Sequence, residues 1–206
     1  MLTLYYAPGT IALASLIALE EAGADYTTQR LNFADEDQKK PSYLAINPKA
    51  RVPSLVTERG ILTETPAILI YICQQYPAAA MAPLDDPFEL ARVQSFNAYL
   101  CSTVHVAHAH LRRGTRWADD PAAIKNMKAM VPKTMDACFR VINDEIFVGP
   151  YVMGDQCTVA DFYLFVLSGW LERDSVDIAT LPKIHSHHEL LSERPSVTRA
   201  LAMQSA

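Results

Sequence analysis

The stretch Leu2-Thr3-Leu4-Tyr5-Tyr6-Ala7-Pro8-Gly9-Thr10-Ile11-Ala12-Leu13-Ala14-Ser15-Leu16-Ile17-Ala18-Leu19 decides the fold. Leu2 to Tyr6 is an apolar, aromatic run that stops at Ala7-Pro8-Gly9, the pattern of a strand followed by a turn. From Thr10 to Ala22 the chain is apolar nearly all round, with Glu20 and Glu21 only in the last turn and Gly23 just beyond. That pattern predicts a buried helix with a glycine stop. Met1 to Leu19 carries no charge. A signal peptide would begin with a basic segment, and a membrane span needs about 20 residues without a Pro-Gly pair, so the stretch reads as buried structure.

Working outward, Tyr26 to Phe33 alternates as a second strand, and Glu36 to Ala45 can form a polar helix before the Asn47-Pro48 break. Val52 to Val56 and Ile61 to Thr63 are joined by Thr57-Glu58-Arg59-Gly60, a hairpin signal. Thr65-Pro66 then opens an apolar helix running to about Tyr76, with Thr65 as N-cap and Pro66 at the first helical position. The order β-α-β-α-β-β-α implies a mixed sheet with helices on its faces. Pro77, Pro83 and Pro87 bound a linker that neither helix nor strand can cross. Beyond it the chain is all helix: Phe88 to Trp117, Pro121 to Phe147 with a kink at Pro132, a core helix from Thr158 to about Leu171, then Leu181 to Leu191 and Ser196 to Ala202. Thr158-Val159-Ala160-Asp161 has the capping-box spacing. The reading is therefore an α/β domain over 1–80 and an all-α domain over 81–206.

Composition agrees with this and removes several classes of function. Of 206 residues, 50% are hydrophobic and 20% charged, the balance of a globular chain with a sizeable core. Lys and Arg number 18 against 23 Asp and Glu, a net charge of −5 without a basic run, which argues against nucleic acid and anionic membrane as partners. Cys73, Cys101, Cys138 and Cys157 form no C-x-x-C pair, so reduced thiols and a cytoplasmic location are expected.

Three strings carry a resemblance. Leu4-Tyr5-Tyr6-Ala7-Pro8-Gly9-Thr10, Asn47-Pro48-Lys49-Ala50-Arg51-Val52-Pro53-Ser54-Leu55 and Leu62-Thr63-Glu64-Thr65-Pro66-Ala67-Ile68 resemble the glutathione-binding half of cytosolic glutathione transferases. Gly149-Pro150-Tyr151-Val152-Met153-Gly154-Asp155 through Asp161 resembles their helical half, and the nearest likeness is to the bacterial beta class. The resemblance implies a thioredoxin-like N-terminal domain, an all-helical C-terminal domain, a homodimer, and glutathione bound in the cleft between them. It also implies conjugation of the glutathione thiolate to a small hydrophobic electrophile, in detoxification and without a metal. Val52-Pro53 resembles the family's cis-proline element, whose backbone pairs with the peptide like an added strand. Glu64 can accept the γ-glutamyl ammonium, Thr65 and the helix N–H groups the α-carboxylate, and Arg51, with Lys49 as a weaker candidate, the second carboxylate. Taken singly, Thr65 can be only a cap, Glu64 a first-turn acid and Arg51 a solvated charge.

The pattern breaks where the beta class keeps a cysteine, two positions after the glycine. Ile11 stands there, so a disulfide with glutathione cannot form at that position. Thr10 matches the place where serine-type classes keep an activating hydroxyl, and it can stabilise the thiolate together with the start of the helix. Tyr5 matches the tyrosine-type position and is the second choice. Tyr5 and Tyr6 point to opposite faces of their strand, so only one of them can serve the site. In the helical half, His105 resembles the beta-class active-site histidine. With His108, Arg112 and Trp117 it is the candidate pocket for the second substrate. His105, His108 and His110 have too few partners for zinc, and His185, His187 and His188 lie in another helix. Two functions remain open on the sequence: a transferase using a hydroxyl-stabilised thiolate, and a non-catalytic glutathione- or ligand-binding stress protein of the same fold.

Overall fold

A computed structural model describes residues 1–205. Strand β1 (Leu2–Tyr6) lies inside a four-stranded sheet. It pairs in parallel with β2 (Tyr26–Arg30) and antiparallel with β3 (Ser54–Thr57), which pairs antiparallel with β4 (Gly60–Thr63), giving the order β2-β1-β3-β4. Parallel neighbours need a crossover, and helix α1 (Ala12–Glu21) supplies it between β1 and β2. Helix α2 (Pro41–Leu44) is short, because Lys40 is extended before Pro41 and splits the expected polar helix from a 3₁₀ turn at Asp37–Lys39. The hairpin closes on Glu58-Arg59, between the paired Thr57 and Gly60. Helix α3 (Thr65–Gln75) follows.

Every residue of α1 from Ala12 to Leu19 is buried. A helix apolar on all faces must be covered on all faces, and β1, α3 and helix α9 (Pro195–Ser205) do so. The two compact units are accordingly Met1–Ala91 together with the segment from Ser192, and Arg92–Leu191. The segment from Ser192 joins the first unit because α9 packs on α1, and the other boundary falls at 91/92, beyond the expected 80/81. Its anchors explain the two acids at the end of that helix. Arg194 donates to Glu21 from Nε at 2.9 Å and Nη2 at 2.5 Å, Ser196 Oγ donates to Glu21 at 2.6 Å, and Arg199 Nε donates to Glu20 at 2.5 Å. Carboxylates at a helix C-terminus oppose its dipole, and the arginines offset this.

The second unit is helical: α4 (Pro87–Tyr99) carries the boundary and leads into α5 (His105–Arg113), α6 (Pro121–Val141), α7 (Val159–Ser168) and α8 (Pro182–Ser192). Helix α6 continues through Pro132. π-Helical turns at Leu100–Val104 and Ile142–Ile146 interrupt what the sequence presents as uninterrupted helices. The second turn places Asn143, whose Oδ1 accepts from the N–H of Lys183 at 3.0 Å and caps α8. Thr158 and Asp161 form the expected capping box. The fully buried Asp161 carboxylate does more than cap: it accepts from Thr158 N at 2.7 Å and Val152 N at 2.8 Å, and pairs with His187 Nε2 at 3.0 Å. Gly149-Pro150 is cis, a feature the sequence did not announce.

Two stability effects are expected. Removing the buried hub by Asp161→Ala leaves several donors without an acceptor and should cost about 3 kcal/mol or more, against about 1 kcal/mol for Thr158→Ala, as read by chemical denaturation. Burial pushes the Glu20 and Glu21 carboxyls up, but their hydrogen bonds and the arginine charges outweigh it and hold both below the ordinary value. Their stabilisation is therefore complete above the ordinary glutamate range near 4.3 and is lost as pH falls through the lower folded values. Glu21→Gln should cost about 2 kcal/mol at neutral pH and flatten the acid limb of the stability profile.

Candidate active site

The turn between β1 and α1 is built by Ala7, Pro8, Gly9 and Thr10. Gly9 has φ of 69°, a conformation that glycine adopts at no steric cost. Its N–H donates to Gln204 Oε1 of α9 at 2.8 Å. Thr10 Oγ1 donates to Ala7 O at 2.6 Å and accepts weakly from Ala12 N at 3.4 Å. Leu13 N donates to Thr10 O and Ala14 N to Ile11 O, so the chain is already turning into α1 at Thr10. Ile11, in the position of the missing cysteine, is only 6% exposed. The two tyrosines separate as the strand period requires. The Tyr5 ring packs 5.6 Å from Tyr43, against the cluster of Ala7, Leu31 and Tyr43, while Tyr6 donates its hydroxyl to Met203 O at 3.1 Å on the other face.

Beside this turn lies the second piece. Val52-Pro53 is cis, and because Tyr5 pairs with Ser54, Pro53 falls next to the carboxyl end of β1. A buried network holds the loop by its backbone. Tyr43 Oη donates to Arg51 O at 2.6 Å, and Asn47 Nδ2 donates to the same oxygen at 2.7 Å and to Ser54 Oγ at 3.1 Å. Tyr43 has one proton and gives it to Arg51 O, so the 2.9 Å contact between Tyr43 Oη and Ser54 Oγ is donated by the serine. Burial, first of all, raises the Tyr43 phenol, which stays a donor. The Arg51 side chain is exposed.

The third piece is the start of α3. The sequence expectation of Thr65 as N-cap is corrected: Glu64 is the N-cap, Thr65 is the first helical residue and only 4% exposed. Glu64 takes φ of 71° and ψ of 121°, costly for a residue with a Cβ and the kind of outlier that clusters at functional sites. It makes no side-chain cap, so the helix presents first-turn N–H groups that no side chain covers. Its carboxylate instead holds Lys49 Nζ at 2.5 Å, and Lys49 also reaches Thr63 Oγ1 at 2.6 Å. With these side chains 42% and 60% exposed, the pair adds little to stability.

In the helical unit, the expected residues divide into two groups. His105 and His108 meet around Trp170: the His108 ring stacks on the indole at 4.3 Å and His105 meets it edge-on at 5.3 Å. His108 Nδ1 lies 2.8 Å from both oxygens of Asp174, whose side chain is 0% exposed. Trp117 pairs with His110 at 4.4 Å instead, and Arg112 is exposed further along α5. Among the described residues no three His, Cys, Asp or Glu side chains gather as metal ligands. Among the described residues no helix is long and apolar enough to cross a membrane.

Family models describe the same two halves. The N-terminal domain of glutathione S-transferases matches residues 1–74 and their C-terminal domain matches residues 108–204. A glutathione transferase homologue from Sulfitobacter, solved with bound glutathione, is 47% identical, with 98% of each chain covered and a TM-score of 0.96. The chain belongs to the glutathione S-transferase family. The transferase is also 29% identical to glutathione S-transferase GstA of Escherichia coli O157:H7 over 98% of both chains. It is 31% identical to the beta class enzyme of Sphingomonas chungbukensis, with 98% of each covered and a TM-score of 0.85.

The sequence offers Thr10, the Val52-Pro53 element, Glu64 and Lys49 as candidates in this transferase, and the structure adds the residues that hold them. Asn47 and Ser54 stand in one of the family-like strings without a role of their own, and Tyr43, Trp170, Asp174 and Gln204 give no local signal. Burial pushes the Cys73 thiol up to about 12 and also raises Cys138, which disfavours the thiolate at both. Asn47→Ala should loosen the backbone at Arg51 and Val52 without removing any side chain proposed to touch a ligand. The expected outcome is a fivefold to tenfold weaker glutathione affinity by calorimetry, about the worth of one buried hydrogen bond.

Proposed function

We propose that this transferase binds glutathione through the three pieces around the end of β1 and transfers its thiolate to a hydrophobic electrophile. The observation that carries the reading is the Glu64 carboxylate holding an ammonium at 2.5 Å beside an uncovered helix N-terminus. An acid for an ammonium next to free N–H groups for a carboxylate is a receptor for an α-amino acid end, and the γ-glutamyl group of glutathione is one. The ligand ammonium takes the place of Lys49 on Glu64, and Thr65 joins the N–H groups at the α-carboxylate. The cysteinyl backbone pairs with Val52 before cis-Pro53, and Arg51, aided by the displaced Lys49, meets the glycyl carboxylate. The sulfur then lies at the Pro8-Gly9-Thr10 turn, next to Ile11.

Activation of the thiol places a demand on Thr10. Its single proton is donated to Ala7 O, so the hydroxyl must rotate away from that carbonyl to donate to a thiolate. The N–H groups at the start of α1 act on the same charge. Tyr5, packed against Tyr43, remains the second choice. Within the helical unit, His105 and Trp170 are the candidate apolar contacts for the electrophile, with His108 held by Asp174; Arg112 and the Trp117–His110 pair form a separate group. Family resemblance alone supports the further reading of a cytoplasmic homodimer acting in detoxification.

The commitment of the Thr10 proton, with Ile11 in place of a cysteine, favours one alternative: a protein that binds glutathione without turnover. Calorimetry with glutathione, paired with conjugation of a chlorinated nitroarene, separates the two. Binding with no conjugation by the native protein would leave the alternative standing. For the enzyme, Thr10→Ala should lower kcat/KM about 10²-fold and shift the pH profile upward, while Thr10→Ser should retain most of the rate. An unchanged rate in Thr10→Ala would remove Thr10 and leave the thiolate to Tyr5 or to the helix start.

A further inference from the structure

Gly9 is the one residue of the sulfur turn whose backbone N–H is tied to a side chain from the far end of the chain. A Cβ built at Gly9 would meet nothing within 4 Å, so packing does not clamp the turn on that side. Its φ of 69° is one of several that glycine visits freely, and a directional contact is needed to hold it. We propose that Gln204, in the last turn of α9, is a positioning residue for the glutathione sulfur: it fixes the Gly9 turn and thereby decides which donors face the thiolate. The proposal rests on the transferase reading above.

Three observations converge on Gln204. The first is the 2.8 Å bond itself, in which an amide oxygen must be the atom facing an N–H, so the orientation of the side chain is set by chemistry. The second is that Gln204 Nε2 is buried with no partner among the described residues. An amide free to choose would bring its donor to an acceptor or to water, and here the oxygen is kept on Gly9 instead. The third is the anchoring of the helix that delivers it. Arg194 and Ser196 hold Glu21, Arg199 holds Glu20, and at the residue just before Gln204 Tyr6 Oη donates to Met203 O at 3.1 Å. Tyr6 is the last residue of β1, so the bond to Met203 and the bond from Gly9 bracket the start of the turn from the same two residues of α9.

The consequence is an assignment of donors. With the Gly9 N–H spent on Gln204 and the Thr10 hydroxyl resting on Ala7 O, the thiolate is left to the hydroxyl once it rotates and to the first N–H groups of α1. Without Gln204 the Gly9 turn is free to relax, and the Thr10 hydroxyl and the helix start lose their common aim. Misplacement of a reacting group by a fraction of its reach lowers kcat more than it lowers binding.

The test uses the full-length protein, with Gln204→Leu removing the acceptor at similar size and Gln204→Glu keeping it. Amide exchange at Gly9, followed by NMR, reports the contact independently of activity. The pH profile for conjugation of a chlorinated nitroarene reports the ionisation of bound glutathione. Gln204→Leu should speed Gly9 exchange, lower kcat about fivefold to tenfold with KM for glutathione little changed, and move the thiol ionisation to higher pH. Gln204→Glu should restore the slow Gly9 exchange but also raise the thiol ionisation, because its charge repels the thiolate. A purely structural residue would move the melting temperature and leave the pH profile where it was. Unaltered Gly9 exchange and an unaltered pH profile in Gln204→Leu overturn the proposal. A native protein that leaves the glutathione thiol at its solution ionisation overturns the transferase reading instead, and the Gly9 measurement tells the two failures apart.

Discussion

Eight successive buried residues, Ala12 to Leu19, impose the constraint on which the first unit depends. A helix with no polar face cannot lie on the surface of a sheet; it has to run through the middle of a layer, covered on the side away from the strands as well. The first 91 residues supply β1 and α3 against it, and the remaining side is closed by α9. Once α1 is fixed in this way, its N-terminus is fixed too, and the turn that joins it to β1 becomes a rigid place at which to hold a reactive atom. The geometry of that turn follows from the burial of the helix behind it.

How much of this was legible in the sequence depends on the range of the interaction. The strand, turn and helix of the first 22 residues, the hairpin and the capping box at Thr158 are local patterns, and the structure has them in the expected order. The N-cap of α3 lies one residue before the expected Thr65 because Glu64 adopts a positive φ that no propensity would assign to a glutamate. The polar helix expected over 36–45 fails for a simpler reason: Pro41 keeps Lys40 extended. Candidate residues were visible by type, as an acid, a hydroxyl or a cis-proline element. Their supports were not, because Tyr43 to Arg51, His108 to Asp174 and Gln204 to Gly9 are contacts made by side chains with no periodicity to reveal them.

The same contrast separates the candidate residues of the two units. On the glutathione side, the groups that would touch the ligand are mostly backbone atoms and helix ends, held by a small buried network of Tyr43, Asn47 and Ser54. Such a site tolerates change in many exposed side chains and is sensitive to the few that grip its backbone. On the helical side, the surface is made by the side chains themselves. A histidine locked onto a buried aspartate and stacked on a tryptophan is a shaped wall, and replacing any member reshapes it. The first arrangement suits a constant ligand and the second a variable one.

The ion pairs of Arg194 and Arg199 with Glu21 and Glu20 also set the order in which the chain can finish folding during synthesis. The residues of the sheet and α1 leave the ribosome first, but the helix that covers α1 follows roughly 100 residues and on the order of ten seconds later. Until then the N-terminal unit carries an open apolar face and two unpaired acids. The nascent protein therefore passes through a stage in which its most hydrophobic helix is the surface a chaperone would meet, and a ribosome that stalls before Arg194 releases a product that cannot bury it.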